Sequence, residues 1–75
     1  MSLFAVNSAG LKAVRKSEVV AISIVPVTAG EPPVPKFELR VDTFKGGFHT
    51  VVYDTDDTLE GIQAKGVALL AALES

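Results

Sequence analysis

The chain has no cysteine, no tryptophan and a single histidine, His49. Without cysteine there can be no disulfide and no thiolate-held metal, and one histidine cannot form an imidazole cluster. Charge is also scarce, with 21% of residues charged against 48% hydrophobic and a formal net charge of −2. A mildly acidic chain suits nucleic acid poorly as its main partner, because that binding rests on lysine and arginine neutralising phosphates. No apolar run approaches the ~20 residues that span a bilayer. The opening Met-Ser-Leu-Phe-Ala-Val carries neither the basic stretch nor the long apolar stretch of a secretory signal. These gaps predict a cytoplasmic protein with no membrane contact, no cofactor and no metal.

At 75 residues the chain is one domain, residues 1–75. A chain of that size buries only about 60% of its unfolded surface. Small domains offset a thin core with disulfides, a metal or oligomerisation, and this composition leaves the third. A homo-oligomer, most simply a dimer, is therefore expected. The charge is uneven: a surplus of two positive charges through Lys45, and of four negative charges from Gly46 onward. Charges this sparse are read as a solvated surface rather than as a head-to-tail attraction.

What the chain does have is patterning. Phe37-Glu38-Leu39-Arg40-Val41-Asp42-Thr43 alternates apolar and polar residues, the signature of a strand with one buried face. Gly46-Gly47 suits a tight turn, and Phe48–Tyr53 returns as a strand rich in β-branched and aromatic residues. A two-residue loop would set Val41 opposite Val52; a three-residue loop with a bulge at Gly47 would set it opposite Val51. Val19–Val25 is apolar on both faces, as in an interior strand or one whose outer face meets a partner. Pro26 is expected to end its pairing, and 28–35, with three prolines, to form an extended loop. Residues 3–14 are read as strand-turn-strand, with a short helix capped by Ser8 as the alternative. Thr55, followed by Asp56, Asp57 and Glu60, predicts the start of a helix over 56–73. Its apolar stripe is Leu59, Ile62, Gly66, Leu69 and Leu73, with Leu70 alongside. Gly66, a costly residue inside a helix, is expected to let the helix approach a bulky sheet residue, an aromatic such as Phe37 or Tyr53. The pattern as a whole predicts an α+β fold: a small antiparallel meander of three to five strands, with one C-terminal amphipathic helix on one face.

The residues that carry chemistry form no recognised active site. Asp54-Thr55-Asp56-Asp57 is the sole carboxylate cluster, but Leu59 stands where a calcium loop needs glycine and Lys65 where it needs glutamate. A helix N-terminus is the better account. His49 has no nucleophile or orienting carboxylate beside it in sequence. Pro32 and Pro35 make a chance-level Pro-x-x-Pro. Phe44, Phe48 and Tyr53 near Lys36, Arg40 and Lys45 are the one set that resembles a stacking platform for single-stranded nucleic acid. The side of the helix away from the stripe carries Gly61, Ala64, Ala68 and Ala72, which marks it as a candidate interaction surface smooth enough for a second copy. The sequence thus predicts a non-catalytic, self-associating or partner-binding domain. The alternatives are a nucleic-acid-binding module built on the hairpin, and an enzyme subunit whose site forms between protomers.

Overall fold

The computed structural model describes residues 3–74; residues 1, 2 and 75 of the expected 1–75 domain lie outside the described residues. The fold is a small α+β arrangement of two antiparallel sheets and one C-terminal helix. Strands β1 (Phe4–Val6) and β2 (Ala13–Arg15) pair as a separate two-stranded sheet, and a 3-10 turn over Lys16–Glu18 follows. Strands β3 (Val19–Ala29), β4 (Val34–Phe44) and β5 (Phe48–Asp56) form a meander in that order, and helix α1 (Leu59–Glu74) closes the chain. The N-terminal segment is therefore strand-turn-strand, and the first helical turn comes at Lys16 rather than Ser8.

The alternation in β4 does what its period requires. Leu39 and Val41 are completely buried and Phe37 packs against them, while Glu38, Arg40 and Asp42 lie on the other face, partly in water. Arg40 closes an ion pair on Glu38 at 2.8 Å across that face. The core gathers Ala5 and Val14 from the small sheet, Leu39, Val41 and Tyr53 from the large one, and Ile62 and Leu69 from α1. The hairpin takes the three-residue option: Phe44 pairs with Phe48 and Val41 with Val51, and the positive φ falls at Gly46 (72°) rather than Gly47.

Several expectations are corrected. Val19–Val25 is not interior, because β3 is an edge strand of the sheet. That position also explains Pro26, which pairs in register with Phe37 instead of ending the strand. A missing N–H costs an edge strand no ladder bond when it lies on the free side. The expected loop over 28–35 shrinks to the turn 30–33, with Pro35 inside β4. The helix starts later than expected, and Thr58 caps it: its hydroxyl accepts from the Gly61 N–H at 3.0 Å, and its carbonyl from the Ile62 N–H at 3.1 Å. Thr55 is still in β5, because Asp54–Asp56 continue pairing with Phe37–Leu39.

The face assignment yields a direct comparison. Leu39→Ala is expected to cost about 2–5 kcal/mol, the range for emptying a buried leucine site. Arg40→Ala, which removes a partly exposed ion pair, is expected to cost less than about 1 kcal/mol. Urea unfolding of the two variants checks this, and equal losses would contradict the assignment.

Candidate interaction surface

The two flanks of α1 differ because of one lysine. Lys65 leaves the helix toward the end of β5, where its ammonium donates to the Thr55 carbonyl at 2.6 Å. It also lies 3.2 Å from an Asp56 carboxylate oxygen and 3.5 Å from one of Asp54. These carboxylates are in reach because β5 carries an extra residue. Arg40 pairs with Val52 but Leu39 with Asp54, so Tyr53 has no partner across the ladder. Such a bulge breaks the in-out alternation, and Tyr53 and Asp54 are both buried as a result.

The N-terminal hairpin turn closes over the bulge. Asn7 donates its side-chain amide to the Tyr53 carbonyl at 2.7 Å, while its Oδ1 accepts from Leu11 N–H at 2.9 Å. Asp54 accepts from the Ser8 N–H at 3.0 Å and from the Thr55 N–H at 2.9 Å. Burial alone would raise the Asp54 carboxyl pKa, but the hydrogen bonds from Ser8 and Thr55 and the nearby Lys65 ammonium outweigh it and hold the pKa below its ordinary value. Asp56 is also lowered, by the Thr58 N–H and by Lys65. Burial pulls Lys65 down, and the two carboxylates more than restore it, leaving it above its ordinary value. Burial, with Asp54 adding to it, raises Tyr53.

The proposed surface residues divide between this flank and solvent. Gly61 sits against the Asp56 carboxylate so closely that a Cβ there would collide with it. Ala72 is half-buried against the core, and Ala64 and Ala68 are exposed. Ala68 and Ala72 border a small hollow of about 140 Å³ beside Asp54 and Lys65. Of the four, Ala64 and Ala68 are thus open and Gly61 and Ala72 partly covered.

The other flank is open and apolar, and sequence reasoning missed most of it. Between α1 and β3 runs a cleft of about 540 Å³, walled by Ile22, Ile24, Leu39, Gly66, Val67 and Leu70. Ile24, Leu59, Val67 and Leu70 keep 37%, 47%, 66% and 47% of their surface in water. Among the described residues, Gln63 and Ser23 bring the polar side chains to the cleft. Gly66 forms part of its floor, and its neighbour is Leu39 rather than the expected aromatic: an added Cβ would meet Leu39 Cδ1 at 3.8 Å, an ordinary contact. The signal was present in the composition of the helix. Its 16 residues include only Glu60, Gln63, Lys65 and Glu74 as polar side chains, too few to wet every side that the core leaves free.

The remaining candidates scatter. Phe44 and Phe48 meet edge-to-face at 5.0 Å at the exposed hairpin tip, but Tyr53 is in the core and Arg40 is held by Glu38. His49 is exposed on β5, opposite Thr43. Among the described residues, no three His, Asp or Glu side chains gather as a metal site, and no helix is long and apolar enough to cross a membrane. No family model matches the chain, and neither a curated protein nor a solved structure matches it.

Two tests follow. Gly66→Ala is expected to stabilise the fold by about 0.5–1 kcal/mol, since the methyl fits and glycine is penalised inside a helix. Gly61→Ala is expected to gain less or to lose, because it displaces Asp56 from Lys65; thermal or urea unfolding of the pair decides. The pH profile is fixed by the sign of the shifts. Carboxyls lowered in the folded state stabilise it fully above their unfolded pKa, about 4, and that contribution disappears as pH falls through the folded values. Raised groups, Lys65 and Tyr53, stabilise below about pH 10 and lose their contribution as pH rises further. Stability measured by urea unfolding should therefore be flat near neutrality and fall at both ends, and Asp54→Asn should flatten the acid limb. An unchanged acid limb in Asp54→Asn would contradict the role given to Asp54.

Proposed function

We propose that the protein is a non-catalytic, self-associating small domain acting in the cytoplasm. The observation that carries this reading is accessible surface beyond what a compact monomer shows, with exposed apolar side chains among it. A compact monomer of 7.9 kDa exposes ~4,400 Å², whereas this chain exposes 5027 Å². Its radius of gyration is 12.7 Å, against ~11.3 Å for a compact domain of this length. The excess, roughly 600 Å², is close to the ~800 Å² that each partner of a standard interface buries. Exposed apolar side chains on α1 and the edge strand β3 adjoin one cleft, and the main apolar patch of a small protein is often its interaction site. A partner protein of another sequence would use the same surface, but a second copy meets the need of the small core at any cellular location of the chain.

The hairpin tip supports a second reading, contact with single-stranded nucleic acid, through the exposed Phe44–Phe48 pair beside Lys45. It is the weaker one, with two rings available and Arg40 engaged by Glu38. Sedimentation equilibrium from micromolar to millimolar concentration is expected to give twice the chain mass, with no salt-dependent binding of a fluorescent oligonucleotide. A monomer throughout, or tight oligonucleotide binding that weakens steeply with salt, would overturn the proposal.

A further inference from the structure

We infer that the cleft between α1 and β3 is a self-complementary seat, occupied by the same cleft of a second copy across a two-fold axis. The inference rests on the self-association proposed above and specifies its geometry. A two-fold interface must carry matching projection and recess on one patch, because each copy supplies both. This patch has them. The recess lies over Gly66, where the missing side chain leaves Leu39 as the floor. The projections are Val67 and Leu70, next to it on the same helix and 66% and 47% exposed. At about 100° per residue around a helix, Ala68 is turned well away from this patch, toward Lys65.

The chemistry of the walls narrows the occupant. Among the described residues no charged side chain lines the cleft, so none of them pairs with a charged ligand or peptide there, and none sets like charges of two copies against each other. Each copy carries a net charge of −2, and an uncharged contact is the one that identical chains tolerate best. The cleft is a broad groove open to solvent, so a small molecule would keep much of its surface wet, unlike the 70–90% burial typical of ligand sites. A facing helix flank covers such a groove along its length. Pro26 interrupts the free edge of β3, which disfavours continuous edge-to-edge pairing as the alternative mode.

Charge insertion and cross-linking test the geometry. Val67→Glu and Leu70→Glu change exposed positions, and circular dichroism is expected to show an intact fold. In sedimentation their dimer dissociation constants are expected to rise ~10-fold or more, as for a charge forced into an apolar contact; Ala68→Glu should stay within about twofold of the parent, as surface changes do. Because the chain has no cysteine, single cysteines report cleanly. Val67→Cys or Leu70→Cys is expected to form a disulfide-linked dimer under mild oxidation, well ahead of Ala68→Cys. If the wild type dimerises but Ala68→Glu dissociates it while Val67→Glu does not, or if only Ala68→Cys cross-links, the seat is wrong and self-association stands. If the wild type is a monomer at millimolar concentration, self-association itself fails, and the seat with it.

Discussion

The grip of Lys65 on the end of β5 is the contact on which the rest of the arrangement depends. One ammonium meets the Thr55 carbonyl and the carboxylates of Asp54 and Asp56, and Asp54 in turn holds the N–H of Ser8. Helix, large sheet and N-terminal hairpin are thereby tied at one point. Exposed ion pairs contribute little, but the one to Asp54 is sheltered and reinforced by backbone donors, the setting in which charge-assisted bonds are strong. Its geometric effect is larger than its energy. By fixing one flank of α1 against the sheet, it decides which flank remains for contact with anything else.

The bulge at Tyr53 makes that contact possible. In a regular strand Tyr53 and Asp54 would point to opposite faces; the extra residue sinks both. It also breaks the ladder in β5, where the Tyr53 carbonyl accepts from the Asn7 side-chain amide instead. On the other edge, Pro26 and the register shift between Val19 and Ala21 interrupt β3. Both edges of the meander are thus blunted against indiscriminate strand pairing, and the unsatisfied surface is left to side chains in the cleft over Gly66.

What the sequence revealed was whatever depends on local period. The alternation in 37–43, the returning strand, the strand-turn-strand of 3–14 and the stripe of Ile62, Gly66, Leu69 and Leu73 survive in the structure, while Leu59, expected in that stripe, is largely exposed. What it hid depends on contacts distant along the chain. Whether Pro26 ends a strand depends on where that strand lies in the sheet, and sheet order is not a local property. Thr55 and Thr58 both precede acidic or apolar residues suited to a first turn, and the pairing of Asp54–Asp56 with β4 decided between them. Gly61 looked like part of a smooth helix back because nothing local shows that Asp56 folds over it. Likewise, the contacts of Lys65 were not legible because they are made with residues nine to eleven positions earlier, in another element.

The central claim is that α1 has one flank held to its own sheet by Lys65 and that the other, as we propose, receives its own copy. The most direct measurement is an isotope-filtered nuclear Overhauser experiment on a mixture of labelled and unlabelled chains, which records only contacts between copies. The account predicts cross-peaks from the methyls of Val67 and Leu70 to those of Ile24 and Leu70 in the other chain. Cross-peaks confined to the Ala64 and Ala68 methyls, or none at millimolar concentration, would contradict it.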